Sequence, residues 1–72
     1  MAFGLTPRQR DLKKYISEYM LRNEGVAPSL AEMAEFLEVT STSSVHRILD
    51  VLERKEHIAR LKGMPRAIKV LP

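Results

Sequence analysis

Apolar residues recur along this chain at two different spacings, and the change of spacing divides it. From Leu12 the apolar positions Leu12, Tyr15, Ile16, Tyr19 and Met20 fall three and four residues apart, the signature of one helical face. Arg8, Asp11, Lys14, Glu18 and Arg22 occupy largely the other face. Thr6 can cap this helix, Pro7 suits its first position and Gln9 completes a capping box. Gly25 supplies a stop signal, so the pattern predicts a first helix over 7–24. Val26-Ala27-Pro28 reads as an extended connector able to add a minimal strand to a small sheet. Ser29 and Glu32 form a second capping box, and Leu30, Met33, Ala34 and Leu37 form the apolar face of a short helix over 30–37. A helix that short is not stable alone and must pack on its neighbours.

Glu38-Val39-Thr40 is a turn, with Val39 expected to plug the space between two helices. Thr40 or Ser41 caps a third helix over 42–55. Val45, Ile48, Leu49 and Leu52 give it an inward stripe, while Ser43, Arg47, Asp50 and Arg54 line the opposite side. The spacing then shortens. Ile58-Ala59-Arg60-Leu61-Lys62 and Ala67-Ile68-Lys69-Val70-Leu71 read as short strands joined through Gly63-Met64-Pro65-Arg66. Ile58 cannot be assigned to a face from the pattern. Three helices followed by a C-terminal β-hairpin make a mainly α (α+β) fold of the winged helix-turn-helix type, in one domain covering 1–72.

Length and composition narrow the class. A chain of 72 residues with 44% hydrophobic residues can form one small core, burying about 60% of its unfolded surface. Cysteine is absent, which excludes disulfides and thiolate zinc sites and fits a reducing cytoplasm. No apolar run reaches the roughly 20 residues needed to cross a bilayer, and the first five residues are too short and weakly charged for a secretion signal. The expected protein is cytoplasmic, with no membrane association.

The net charge of +3 is modest, but its distribution is uneven. Residues 1–44 carry five basic and six acidic side chains, whereas residues 45–72 carry seven basic and three acidic. After Glu56 come Arg60, Lys62, Arg66 and Lys69 with no acid. A basic C-terminal segment is the footprint of a polyanion binder; a merely soluble basic surface is the plainer alternative.

The third helix is the candidate reader of double-stranded DNA. The N-terminal end of a helix offers outward N–H groups and a positive dipole. Ser41, Ser43 and Ser44 are short enough to let the helix sit deep in a groove, although one of Thr40 and Ser41 must act as cap. Arg47 can form a bidentate contact with a guanine edge, worth roughly 1–3 kcal/mol of discrimination. Its alternatives are a phosphate contact or an ion pair with Asp50. His46 can bond a base or a phosphate, or lie at the helix edge. Arg54 and Lys55 would stand near the DNA backbone, and cations also suit a helix C-terminus. Lys62 and Arg66 flank the hairpin tip, where an arginine can enter the minor groove or a charge can guard a strand edge. Two histidines and no cysteine argue against a metal site, and no cofactor or small-molecule substrate is expected. Neighbouring serines and a histidine on one short helix lack the pocket and oriented third group that an enzyme needs.

In order and spacing, several segments resemble the N-terminal DNA-binding domain of the LexA repressor family, the bacterial SOS repressors. They are Leu5-Thr6-Pro7-Arg8-Gln9, Gly25-Val26-Ala27-Pro28-Ser29, Glu32-Met33-Ala34, Ser43-Ser44-Val45-His46-Arg47, Ile58-Ala59-Arg60-Leu61 and Pro65-Arg66-Ala67-Ile68-Lys69-Val70-Leu71. The third helix and hairpin look most like α-proteobacterial versions. The resemblance implies a transcriptional repressor that binds paired half-sites as a homodimer. It implies base contacts at Ser41, Ser43, Ser44, His46 and Arg47, and backbone contacts that include Arg54 and Lys55, with the wing tip near the minor groove; Ser29 is a further candidate for a backbone contact.

Two departures qualify it. The family's C-terminal autopeptidase domain is not in this sequence, so an excised domain or a small stand-alone relative is expected and damage-triggered self-cleavage does not carry over. Glu56 stands where the family usually has glycine, which costs on the order of 1 kcal/mol or reshapes the turn if that position needs φ > 0. A module that docks on a related repressor or on the transcription machinery is the competing function. The polar, basic side of the third helix suits DNA better than an apolar protein groove.

Overall fold

The computed structural model describes residues 4–60 and 68–71. Its elements run α1 (Pro7–Arg22), α2 (Leu30–Leu37), α3 (Thr42–Arg54), β1 (Ile58–Arg60) and β2 (Ile68–Val70). Both expected capping boxes form. Thr6 Oγ1 accepts from the Gln9 N–H at 3.2 Å while Gln9 Oε1 accepts from the Thr6 N–H at 3.0 Å. Ser29 and Glu32 repeat the exchange at 3.1 and 2.8 Å. Two donors at each helix start are thereby satisfied without tertiary help.

The helix ends explain where the expected boundaries shift. α1 stops at Arg22 rather than at residue 24, because Glu24 and Gly25 both turn left-handed and the Gly25 N–H reaches back to the Met20 carbonyl at 2.8 Å. α2 and α3 each close on a Schellman pair. The Glu38 and Val39 N–H groups bond the Glu35 and Ala34 carbonyls, and the Glu56 and His57 N–H groups bond those of Glu53 and Leu52. The left-handed residue in each pair is a glutamate, with φ of 59° at Glu38 and 62° at Glu56. A glutamate in this conformation carries a Cβ clash that glycine avoids, and its charge also opposes the helix dipole.

The core is one cluster. Leu12 and Ile16 from α1, Met33, Ala34 and Leu37 from α2, and Val45, Leu49 and Leu52 from α3 meet Ala27, Ile58 and Ile68. Ile58, which the sequence pattern leaves unassigned, is a core residue. Val39 is half-buried against this cluster, as a plug in the turn should be. Among the described residues the Val26–Pro28 connector adds no strand. Ala27 and Pro28 are buried in place, and Pro28 has no N–H to give a ladder.

α1 and α2 are latched at both ends of their crossing. Arg8 donates to the Leu37 carbonyl at 2.9 Å, and the Tyr19 hydroxyl donates to Glu32 Oε2 at 2.9 Å. Between them Tyr15 stacks on Phe36, ring centroids 4.3 Å apart. β1 and β2 pair antiparallel with Ile58 opposite Val70 and Arg60 opposite Ile68. A further bond from the Leu71 N–H to the His57 carbonyl, 2.9 Å, extends the ladder. The expected outer parts of the strands at 61–62 and 67, and the connection between them, lie outside the described residues.

Replacing Glu38 or Glu56 by glycine should raise stability by about 1 kcal/mol each, a rise in Tm of roughly 4–8 °C for a domain of this size. Thermal melts followed by circular dichroism check this; an unchanged or lowered Tm contradicts it.

Candidate nucleic-acid interface

α3 is amphipathic in the strict sense that its two sides meet different media. Val45, Leu49 and Leu52 are buried, and Ile48 is partly so. Ser43, Arg47, Asp50 and Arg54, spaced along one stripe, are exposed, with His46 beside them. Ser41 is the N-cap, its Oγ accepting from the Ser43 N–H at 3.1 Å, and the hydroxyl hydrogen remains available to donate. Ser44 is half-buried at the edge of the exposed side. Thr42, at the first position of the helix, is exposed there too and was not singled out by sequence; its hydroxyl widens the polar tip. The five residues expected to meet base edges therefore share one helix end, Ser44 among them at its margin.

The charges are arranged differently from what their order in the chain suggests. Arg60, counted among the basic residues after Glu56, turns back onto α3. Its Nη2 lies 2.5 Å from Asp50 Oδ1 and 2.7 Å from Glu53 Oε1, and its Nε donates to Glu53 Oε1 at 3.2 Å. One guanidinium thus holds two carboxylates, the fork geometry that suits arginine. The hydrogen bond that Arg60 donates to Asp50 holds the Asp50 carboxyl below the usual aspartate range, and those it donates to Glu53 push the guanidinium further up. The Arg47–Asp50 pair, one alternative for Arg47, does not form because Asp50 is engaged by Arg60. Among the described residues, Arg47 and Arg54 enter no ion pair.

The remaining expected contacts divide. Ser29 caps α2 and is half-buried. Lys55 is exposed, and its Nζ donates to the Gly4 carbonyl at 2.6 Å, so it is directed toward the N-terminal segment. Lys62 and Arg66 lie outside the described residues. Tyr15 and Tyr19 are half-buried on the α1–α2 seam and face away from α3's exposed stripe.

His57 stands behind the end of α3 and takes no part in that stripe. Lys13 Nζ donates to its Nδ1 at 2.9 Å. Burial, then the Lys13 and Lys55 charges, hold the imidazole below its ordinary value. No helix of the described residues is long and apolar enough to cross a membrane.

A short helix-turn-helix that exposes the polar side of its last helix, flanked by an antiparallel hairpin, is the architecture of the winged helix-turn-helix proteins. The chain belongs to the LexA DNA-binding domain family, whose model matches residues 2–67. It is similar to the LexA repressor of Frankia alni (strain DSM 45986 / CECT 9034 / ACN14a), with 46% identity over 97% of this chain. It is likewise similar to the LexA repressor of Erythrobacter litoralis (strain HTCC2594), with 39% identity over 93% of this chain. The matched segments are 27% and 28% of those two repressors, so the chain spans just over a quarter of the curated relatives' length.

The state of His57 has a pH consequence. The unfolded chain takes up a proton near pH 6.5, and the folded chain does so only at lower pH. Between the two values the unfolded state binds more protons, so this contribution is complete above about pH 6.5 and is lost as pH falls through the folded value. Melting temperature should decline from pH 7 to pH 5, and His57→Gln should flatten that slope. An identical slope in the variant contradicts the assignment.

Proposed function

We propose that this chain is a sequence-specific reader of double-stranded DNA that acts in transcriptional repression, with α3 lying in the major groove and the hairpin as wing. One observation carries the reading: the stripe of Ser43, Arg47 and Arg54 is exposed, polar and basic, and its two arginines are committed to no carboxylate among the described residues. Ser41, Ser43, Ser44, His46 and Arg47 then approach base edges from the first two turns. Ser29, Arg54 and Lys55, with Lys62 and Arg66 on the connection between the strands, approach phosphates.

The roles differ physically. Arg47 carries sequence discrimination because a planar fork matches the O6 and N7 acceptors of guanine. Serine hydroxyls donate or accept and so discriminate weakly, but their small size lets the helix approach closely. Arg54 and Ser29 position the domain without reading sequence. Lys55 joins them by exchanging the exposed Gly4 carbonyl for a phosphate oxygen, a stronger charge-assisted partner. One such domain covers about 600–1,000 Å² of protein surface on DNA, which supports modest affinity for one half-site. Two copies on a paired site would add their contacts, and occupying a promoter in this way blocks transcription. The two relatives named as LexA repressors support this reading.

Selection of bound duplexes from a random pool at stated salt should return a defined half-site. Arg47→Ala should then cost about 1–3 kcal/mol on that site and relax preference at one base pair. Arg54→Ala should weaken all duplexes evenly and lower the salt slope by about 1. Enrichment of no sequence, or binding insensitive to salt, contradicts the proposal.

A further inference from the structure

Asp50 is out of place on a surface that meets phosphates. It sits on the exposed stripe of α3 between Arg47 and Arg54, and Glu53 is half-buried beside it. Two carboxylates there repel DNA directly. Asp50 also lies within one helical turn of three side chains of the reading surface, since His46 and Arg47 precede it by four and three residues and Arg54 follows it by four. Pairs at those spacings form readily on a helix surface. An unrestrained Asp50 would draw a cation out of the interface as well as add its own repulsion.

The hairpin supplies the restraint. Arg60 comes from β1, whose neighbour Ile58 is fully in the core, so its backbone is fixed relative to α3. Its Nη2 reaches Asp50 Oδ1 and Glu53 Oε1 together. Its side chain is only 25% exposed, against 56% for Asp50. The guanidinium therefore approaches from the hairpin side and is itself largely covered.

We infer that Arg60 is a positioning residue for DNA recognition: by gripping Asp50 and Glu53 together it keeps both carboxylates away from the phosphates and leaves His46, Arg47 and Arg54 free for the duplex. The inference rests on the proposed reading of α3. It gives the first strand of the wing a task separate from any contact made near the hairpin tip. It also accounts for an acidic residue on the reading stripe, since Asp50 serves as the anchor point that ties strand to helix.

The test is a mutant cycle with the full chain, using the duplex recovered by selection and a scrambled duplex of equal length. Arg60→Met keeps the aliphatic stem and removes the fork. It should weaken binding to the selected duplex about tenfold, and the scrambled duplex by less, because the loss falls partly on base-reading cations. In an Asp50→Asn/Glu53→Gln background the same replacement should change affinity by less than about threefold, because the carboxylates it restrained are gone. Arg60→Lys keeps the charge on a shorter stem and lacks the Nε donor to Glu53, and should fall between wild type and Arg60→Met. If Arg60→Met melts early, Arg60→Gln decides the matter, since it too removes the charge: wild-type affinity in a folded Arg60→Gln protein overturns the inference. Equal losses on removing Arg60 in both backgrounds overturn it as well, since they mean that Arg60 meets DNA on its own account. Failure of the wild-type chain to bind either duplex is a different result, and overturns the reading of α3 on which the inference rests.

Discussion

Burial of one side of α3 is the constraint on which the other features depend. Val45, Leu49 and Leu52 are removed from water against α1, α2 and the first residue of the hairpin. Each such side chain contributes roughly 1.5–3 kcal/mol, a large share in a domain this small. The burial fixes the rotation of the helix about its axis. Once rotation is fixed, Ser43, Arg47 and Arg54 have no direction to face but outward. The interface follows from the core, because the same helical period sorts both sets of residues.

The elements around α3 all act to hold that orientation. α2 is too short to persist alone, and it is gripped by a capping box at its start and by Arg8 of α1 at its end. The Tyr15–Phe36 stack and the Tyr19–Glu32 bond complete the seam between α1 and α2. On the far side, Arg60 ties the hairpin to α3 through two carboxylates. Left-handed glutamates close α2 and α3 where glycine would do so at lower cost, which makes the sharp exits of these helices a local strain set against the packing.

Much of this architecture is legible in residue order. The starts of α1 and α2 are readable because capping boxes are local: Thr6 with Gln9 and Ser29 with Glu32 are each three residues apart. The two sides of α3 are readable because period sorts them. α1 ends two residues before the position its pattern indicates, since a left-handed Glu24 gives no compositional sign of itself, whereas the glycine after it does. Ile58 had no partner visible in sequence, because its burial depends on where β1 meets the helices. The role of Arg60 was hidden for the same reason. A run of basic residues after Glu56 looks uniform along the chain, and only the hairpin's path shows that one of them faces two acids instead of solvent. Asp50 looked like a partner for Arg47 by helical spacing, and a residue ten positions later took it.

On the reading proposed above, the outward side of α3 is the surface that meets DNA. Amide chemical-shift mapping of the chain titrated with a selected duplex tests it most directly. The largest changes should fall on Ser41 to Arg47 and at Arg54, with the α1 surface around Asp11 and Glu18 unmoved. Changes centred on that α1 surface, with α3 unaffected, would contradict it.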